Sequence, residues 1–366
     1  MATHVSCFNP GPAKVPKSVL KKAQDEFTNF QSTGMSVVEL SHRSKDYAEI
    51  NSQCEDRLRK ILDIPSNYKV LFMQGGGTGQ FSCLPLNIRR GESPVFDYIV
   101  TGTWSSKAAA EAKKYGKVNM VFPKPEKFTS VADEKTWKLD PEASYVYYCA
   151  NETVHGVEVL NPPDTGNVPL VCDMSSNFLT CKVDVSKYGA IVAGAQKNFG
   201  AAGVTVVIIR DDLLDTAHPM CPIVMEYKTT AANKSCYNTP PTFCIYLIGL
   251  VFEWILEQGG VEAMEKCSAA KSKQVYDLID KSNFYWSPVD PKYRSRVNIP
   301  ILLGSPSGNA DIENLFVQKA TEAGLIGLKG HRSVGGLRAS LYNAVSEEDT
   351  DRLVKFMIQF EKESAN

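Results

Sequence analysis

Nothing in the 366-residue sequence repeats, and no stretch is of low complexity, so repeat architectures are excluded. Long hydrophobic runs are also missing. The longest, residues 243–256, is interrupted by Glu253 and is too short to cross a bilayer, so it reads as a buried helix. The ten cysteines form no Cys-x-x-Cys pair, and the first sixteen residues have no apolar leader core. Reduced, mostly buried thiols, a cytoplasmic location and no metal are expected. Charge of one sign is missing too. A net charge of −1 with 22% charged residues leaves no electrostatic footprint for nucleic acid or a membrane surface, and neither is expected as a partner. What is present is 43% hydrophobic content, enough for two or three core-bearing units.

The most informative stretch is residues 189–210, GAIVAGAQKNFGAAGVTVVIIR. It reads as a short apolar strand over 190–193, a turn of small residues, and a β-prone strand over 204–209. Lys197 is the only charged residue between Gly189 and Thr205. Desolvation lowers a lysine's pKa and leaves an amine able to form an imine with a carbonyl. A solvated loop lysine is the competing reading. Asp173 lies 24 residues upstream, at the end of the apolar run PLVCD. A carboxylate at a strand's carboxyl edge can hold a pyridine nitrogen protonated, although a helix cap or turn residue is its commoner role. Together the two residues suggest pyridoxal 5′-phosphate.

A second signal is Gln74-Gly75-Gly76-Gly77-Thr78-Gly79-Gln80, between a strand-like run at 70–73 and a helix. Strand, glycine turn and helix start make a cradle of backbone N–H groups for an anion. Gln80 stands where a dinucleotide fingerprint needs its last glycine, and no Gly-Lys-Ser/Thr follows, so a cofactor phosphate fits better than a nucleotide. A tight turn without a ligand is the alternative. In residues 330–338, GHRSVGGLR, two arginines and a histidine among glycines exceed what a solvated face needs.

These segments, with NPGPAKVP (9–16), SHRSK (41–45), YVYYCANETVHGVE (145–158), CDMSSNFL (172–179) and YNTPP (237–241), resemble the phosphoserine aminotransferases. These are class-V members of the fold-type I pyridoxal-phosphate enzymes. The resemblance extends from residue 9 to LKGHRSVGGLRASLYNA at 328–344, so it covers nearly the whole chain. It implies an internal-aldimine lysine and acid–base catalyst at Lys197, and a pyridinium partner at Asp173. It implies a stacking aromatic at Trp104 and a cofactor hydrogen bond from Thr153. Gly77, Thr78 and Gln196 would complete the cofactor site within one chain. Asn238 and Thr239 would reach the cofactor phosphate of a partner subunit, which makes a homodimer part of the site. His42, Arg43, His331 and Arg332 would meet the substrate's anionic group, and Arg338 its α-carboxylate.

The implied fold is α/β: a large domain with a mainly parallel seven-stranded sheet, that count being the family's, and a smaller C-terminal α+β domain. The divisions expected are an arm (1–16), a pyridoxal-phosphate-binding domain (17–258) and a small domain (259–366). A break at Gly259-Gly260 and short strand–helix alternation beyond it motivate the last boundary. In the final helix Leu353, Phe356, Met357 and Phe360 form an apolar stripe. The implied reaction transfers an amino group between glutamate and 3-phosphohydroxypyruvate, giving phosphoserine and 2-oxoglutarate. A 4-phosphohydroxythreonine-type substrate is the sister alternative. A nucleotide enzyme or a catalytically silent binding protein are the rivals from other classes. The failed fingerprints weigh against the first, and Lys197, Asp173 and the arginines against the second.

Overall fold

The computed structural model of the chain describes residues 5–364. Residues 1–4 of the expected arm and 365–366 of the expected small domain lie outside the described residues. Seven strands form the central sheet: β1 (Tyr68–Met73), β2 (Val95–Ile99), β3 (Lys117–Met120), β4 (Val146–Cys149), β5 (Leu170–Asp173), β6 (Ala190–Gly194) and β7 (Thr205–Arg210). Their order across the sheet is β1-β7-β6-β5-β4-β2-β3. β7 is antiparallel to both neighbours and every other pairing is parallel. The mainly parallel seven-stranded sheet is therefore the one observed. β3 had no counterpart in the sequence reading, because KVNM is polar. It is an edge strand that stays partly exposed.

The central strands read as unbroken apolar runs because both of their faces are covered. Val206 and Ile208 of β7 join one core with Phe72, Tyr148, Cys172, Ile191 and Ala193, under the helices Lys45–Leu62 and Thr242–Glu257. Val207 and Ile209 join the opposite core with Leu71, Tyr98, Tyr147, Val171 and Val192, against Leu84 and Ala108 from two other helices. Fully burying each such side chain contributes about 1.5–3 kcal/mol, so a one-residue slip of β7 would be costly.

A third core contains Val275, Ile279, Tyr285, Ile299, Ile301, Phe316, Leu337, Leu353, Met357 and Phe360. It packs around an antiparallel sheet of Tyr285–Trp286, Asn298–Leu303 and Leu337–Ser340. Phe8 inserts into this core, and Ser6–Cys7 pairs in parallel with Leu325–Ile326. Asp349 then holds Ser6 Oγ at 2.7 Å and pairs with Lys14, so residues near both ends of the chain meet. The helices Thr242–Glu257 and Gly260–Lys281 turn through 82° at their junction. No single helix among the described residues is long and apolar enough to cross a membrane.

Residues 211–241 are polar and spaced by prolines, a composition that suggests a long loop, but they contain the helix Tyr227–Ala232. Its anchor is Tyr227, fully buried, whose N–H donates to Asn87 Oδ1 at 2.8 Å and whose hydroxyl donates to Gln80 Oε1 at 2.6 Å. That tertiary anchoring overrides weak local propensity.

Candidate active site

The register brings the carboxyl ends of the parallel strands to one edge. Cys149 at the end of β4 pairs with Asp173 at the end of β5, and Asp173 pairs with Val192 near the end of β6. Met73, closing β1, faces Thr205 of β7, which in turn faces Gly194. The segments that follow these strands therefore open on the same edge: Gln74–Gly79, Thr101–Trp104, Asn151–Thr153 and the Lys197 turn. In an open α/β sheet this edge is where ligands bind.

Lys197 keeps a little accessible surface, but its amine is enclosed, with Nζ 5.1 Å from the centre of the Trp104 ring. Burial pushes its pKa down, and the nearby Asp173, Cys149 and Glu152 pull it back up. The N-terminal arm covers this turn. Ala13 N–H donates to the Gln196 carbonyl at 2.9 Å, and a Cβ on Gly11 would stand 3.3 Å from Lys197 Cγ. On the other side, Asn198 Oδ1 accepts the Asn343 N–H at 2.9 Å, tying the turn to the segment after Leu337–Ser340.

Asp173 is buried. Its Oδ1 accepts the Ser175 N–H at 2.8 Å, while Oδ2 has no hydrogen bond among the described residues and points toward Gly77. A Cβ on Gly77 would lie 3.6 Å from that oxygen, so the missing side chain leaves open space before the carboxylate. Gly77 and Thr78 belong to the first turn of the helix Gly76–Asn87, whose leading N–H groups have no intrahelical partner. They face outward as an anion cradle.

Trp104 is fixed from two directions by consecutive residues. Its indole Nε1–H donates to Thr153 Oγ1 at 2.8 Å, and its backbone N–H donates to Glu152 Oε2 at 2.9 Å. Glu152, fully buried, also accepts the Ser105 N–H at 2.8 Å and the Ser105 hydroxyl at 2.6 Å. It thus caps the helix Thr103–Ala112 with a carboxylate aligned to the helix dipole. Burial raises its pKa against those three bonds. Residue 102 has to be glycine, because a Cβ there would sit 2.3 Å from Glu152 Cδ. Sequence reasoning missed Glu152. Its signal was the acidic residue inside ANETVHG, one position before Thr153.

Arg338 is buried on the opposite side. One guanidinium nitrogen donates to the Thr153 carbonyl at 3.0 Å, while Nε is buried with no partner among the described residues. A buried orphan donor on an arginine is a place for a carboxylate. His331 and Arg332 sit at the tip of the loop before Leu337–Ser340, with His331 half-buried and Arg332 exposed. The charges of Arg338, Arg332 and Lys107, together with burial as the main cause, lower the His331 pKa. His155, hydrogen-bonded to Thr103 Oγ1 at 3.0 Å, is pushed down to about 4 by burial and by His331.

Not every expected residue converges. Among the described residues no hydrogen bond or ion pair joins His42 or Arg43 to Lys197, Asp173 or Arg338. Ser44 beside them caps the helix Lys45–Leu62. Asn238 lines a cavity of about 350 Å³ with Gln74, Gly75, Ser235 and Tyr237, and Thr239 is exposed next to it. No group of three or more His, Cys, Asp or Glu side chains among the described residues could hold a metal ion.

Residues 5–353 match the family model for class-V aminotransferases. The chain belongs to the class-V aminotransferases. Within that family it is 54% identical over 361 residues to the phosphoserine aminotransferase of Drosophila melanogaster, an alignment spanning 98% of this chain and 99% of the relative. Among solved structures it resembles the phosphoserine aminotransferase of Bacillus circulans subsp. alkalophilus, with TM-score 0.94 and 42% identity over 98% of both chains. It also resembles the pyridoxal-phosphate-bound phosphoserine aminotransferase of Trichomonas vaginalis, with TM-score 0.93 and 44% identity over 97% of this chain and all of the other. This class-V aminotransferase thus shares its fold with the two solved structures and aligns with all three relatives over nearly its full length.

Proposed function

We propose that the chain is a pyridoxal-phosphate-dependent phosphoserine aminotransferase, moving an amino group between glutamate and 3-phosphohydroxypyruvate. The observation that carries this reading is the enclosed Lys197 amine with two groups within electrostatic reach of it, the Asp173 carboxylate with its unbonded Oδ2 and the Arg338 guanidinium with its orphaned Nε. The residues fit the cofactor part by part. The space that a Cβ on Gly77 would fill lies before Asp173, and the free N–H groups of the helix Gly76–Asn87 lie beside it. The Trp104 ring offers a flat face, and Thr153, already accepting from the indole, keeps its own hydroxyl proton to donate.

When bound, pyridoxal phosphate supplies the electron sink that makes an amino acid's Cα proton removable. The chain's own residues do the rest. Burial lowers the Lys197 pKa and so favours the neutral amine, the form that attacks a carbonyl carbon, and the same group moves the proton at Cα as general base and acid. Asp173 Oδ2 holds the proton on the pyridine nitrogen. Trp104 fixes the ring plane and excludes water from one face. Arg338 orients the α-carboxylate through the edge not committed to Thr153. His331 and Arg332 hold the phosphate, a role we also give to His42 and Arg43.

The proposal includes a homodimer. Met220, Ile223, Val224 and Tyr237 are 81%, 50%, 54% and 48% exposed, an apolar surface on the segment that ends in Asn238 and Thr239. A second copy covering it would take those two residues to its own phosphate cradle. The arm, large-domain and small-domain divisions at residues 16 and 258 belong to the same proposal; the separate third core supports a small domain, while Phe8 of the arm joins that core and Val261 and Met264 join the first. A cytoplasmic setting is supported by ten free cysteines.

The test is direct. Protein reconstituted with pyridoxal phosphate and given phosphoserine with 2-oxoglutarate should form glutamate, and its visible absorbance should change when glutamate alone is added. A protein that binds the cofactor but forms no glutamate would rule the proposal out.

A further inference from the structure

We propose that Lys107 is a specificity-determining residue of this site, a further cation that meets the substrate's doubly charged phosphate beside His331 and Arg332. The inference rests on the phosphoserine reading above.

Lys107 lies one turn beyond Trp104 on the helix Thr103–Ala112, so both side chains share a face. Its Nζ stands 4.7 Å from the centre of the Trp104 ring. Trp104 donates to Thr153, and Arg338 donates to the Thr153 carbonyl, so Lys107 is three contacts away from the carboxylate clamp. The indole face gives a long, exposed side chain a preferred place at the rim of the site.

The cations gathered here have no carboxylate to neutralise them. On the same helix Glu111 is taken by Lys114 at 2.6 Å. Lys107, Arg332 and Arg338 form no ion pair among the described residues, and the buried acid Glu152 is committed to the helix start. His331 lies within electrostatic reach of all three charges, and His155 within reach of His331. A cluster of like charges left unpaired is destabilising on its own and favours an anion with more than one charge. A phosphate carries up to two charges at neutral pH, a γ-carboxylate one and serine's hydroxyl none. Lys107 therefore acts most on phosphoserine, less on glutamate and least on serine.

The experiment uses the holoenzyme as wild type, Lys107→Met and Lys107→Arg, with kcat/KM measured for phosphoserine and serine at low salt and near 0.15 M. In Lys107→Met the phosphoserine-to-serine ratio should fall roughly threefold to tenfold, as expected for an exposed cation facing a dianion. Lys107→Arg should restore it, and added salt should shrink the difference. In proton NMR, the His331 ring should titrate at higher pH in Lys107→Met than in wild type, because one neighbouring charge is gone. An unchanged ratio, or an equal loss on both substrates, would overturn the role given to Lys107. A wild-type ratio near one would instead overturn the phosphate pocket itself, so the two failures are distinguishable.

Discussion

Replacing Glu152 tests how the site is held open. Its carboxylate takes three donors at the start of the helix Thr103–Ala112: Trp104 N–H at 2.9 Å, Ser105 N–H at 2.8 Å and Ser105 Oγ at 2.6 Å. Glu152→Ala leaves two buried N–H groups without acceptors, at about 1–3 kcal/mol each. It also opens a void where the carboxylate stood. Relief from burying a charge returns part of this, since burial alone drives the Glu152 pKa upward. Ser105 Oγ also keeps its bonds from the Thr101 and Gly102 N–H groups, at 3.0 and 3.1 Å. The net loss should be about 2–4 kcal/mol of stability. Glu152→Gln keeps one acceptor oxygen but turns an NH2 toward a donor, so its loss should be about half as large. The assay is urea unfolding together with pyridoxal-phosphate affinity followed by tryptophan fluorescence. Both should rank wild type, then Gln, then Ala, because Trp104 loses its backbone anchor. An alanine protein with unchanged midpoint and unchanged cofactor affinity would refute the reasoning.

Further outcomes follow from other residues. Asp173→Asn should weaken cofactor binding and slow loss of the Cα proton, at a cost of several kcal/mol in the barrier; unchanged kcat at saturating cofactor would contradict the role given to Oδ2. His155 titrates near 4 in the fold and near 6.5 when unfolded, so between those values the unfolded state binds the extra proton and stability falls as pH drops. A His155→Gln protein should show a flatter unfolding free energy over that window, and an identical slope would count against it. Lys271, buried and donating to the carbonyls of Leu341, Tyr342 and Val345 at 3.2, 2.9 and 2.7 Å, is pushed down to about 8. From pH 8 upward the folded state releases this proton first, so wild type should gain stability relative to Lys271→Met. The variant should already be weaker at pH 7 by about 2–4 kcal/mol through its orphaned carbonyls.

Much of this was legible from local pattern. The unbroken apolar runs at 190–193 and 204–209 pointed to buried strands, and the strands observed there, β6 and β7, are both interior strands of the sheet. Lys197 stood out because nothing charged surrounds it in sequence, and Asp173 because it ends an apolar run. Trp104, Thr153, Gly77 and Arg338 then assemble around them at one edge. What stayed hidden depends on contacts distant in sequence. Glu152 becomes a helix cap only once β4 places it beside residues 102–105. Lys107 carries no signal in the sequence, and its place against the Trp104 ring is visible only in the fold. Helix Tyr227–Ala232 is invisible without Asn87 and Gln80 to anchor Tyr227. His42 and Arg43 are pocket residues by resemblance to the family, yet no hydrogen bond or ion pair among the described residues draws them to Arg338.

The central claim is that Lys197 is the amine that reacts, although Lys271 is another buried lysine with a depressed pKa. Lys271 is held by three carbonyls, whereas Lys197 makes no hydrogen bond among the described residues and lies within electrostatic reach of Asp173. Borohydride treatment of the pyridoxal-phosphate-loaded protein, followed by peptide mass mapping, separates them. A single modified peptide containing Lys197 is the expected result. Modification at Lys271, Lys107 or another lysine with Lys197 untouched would contradict it.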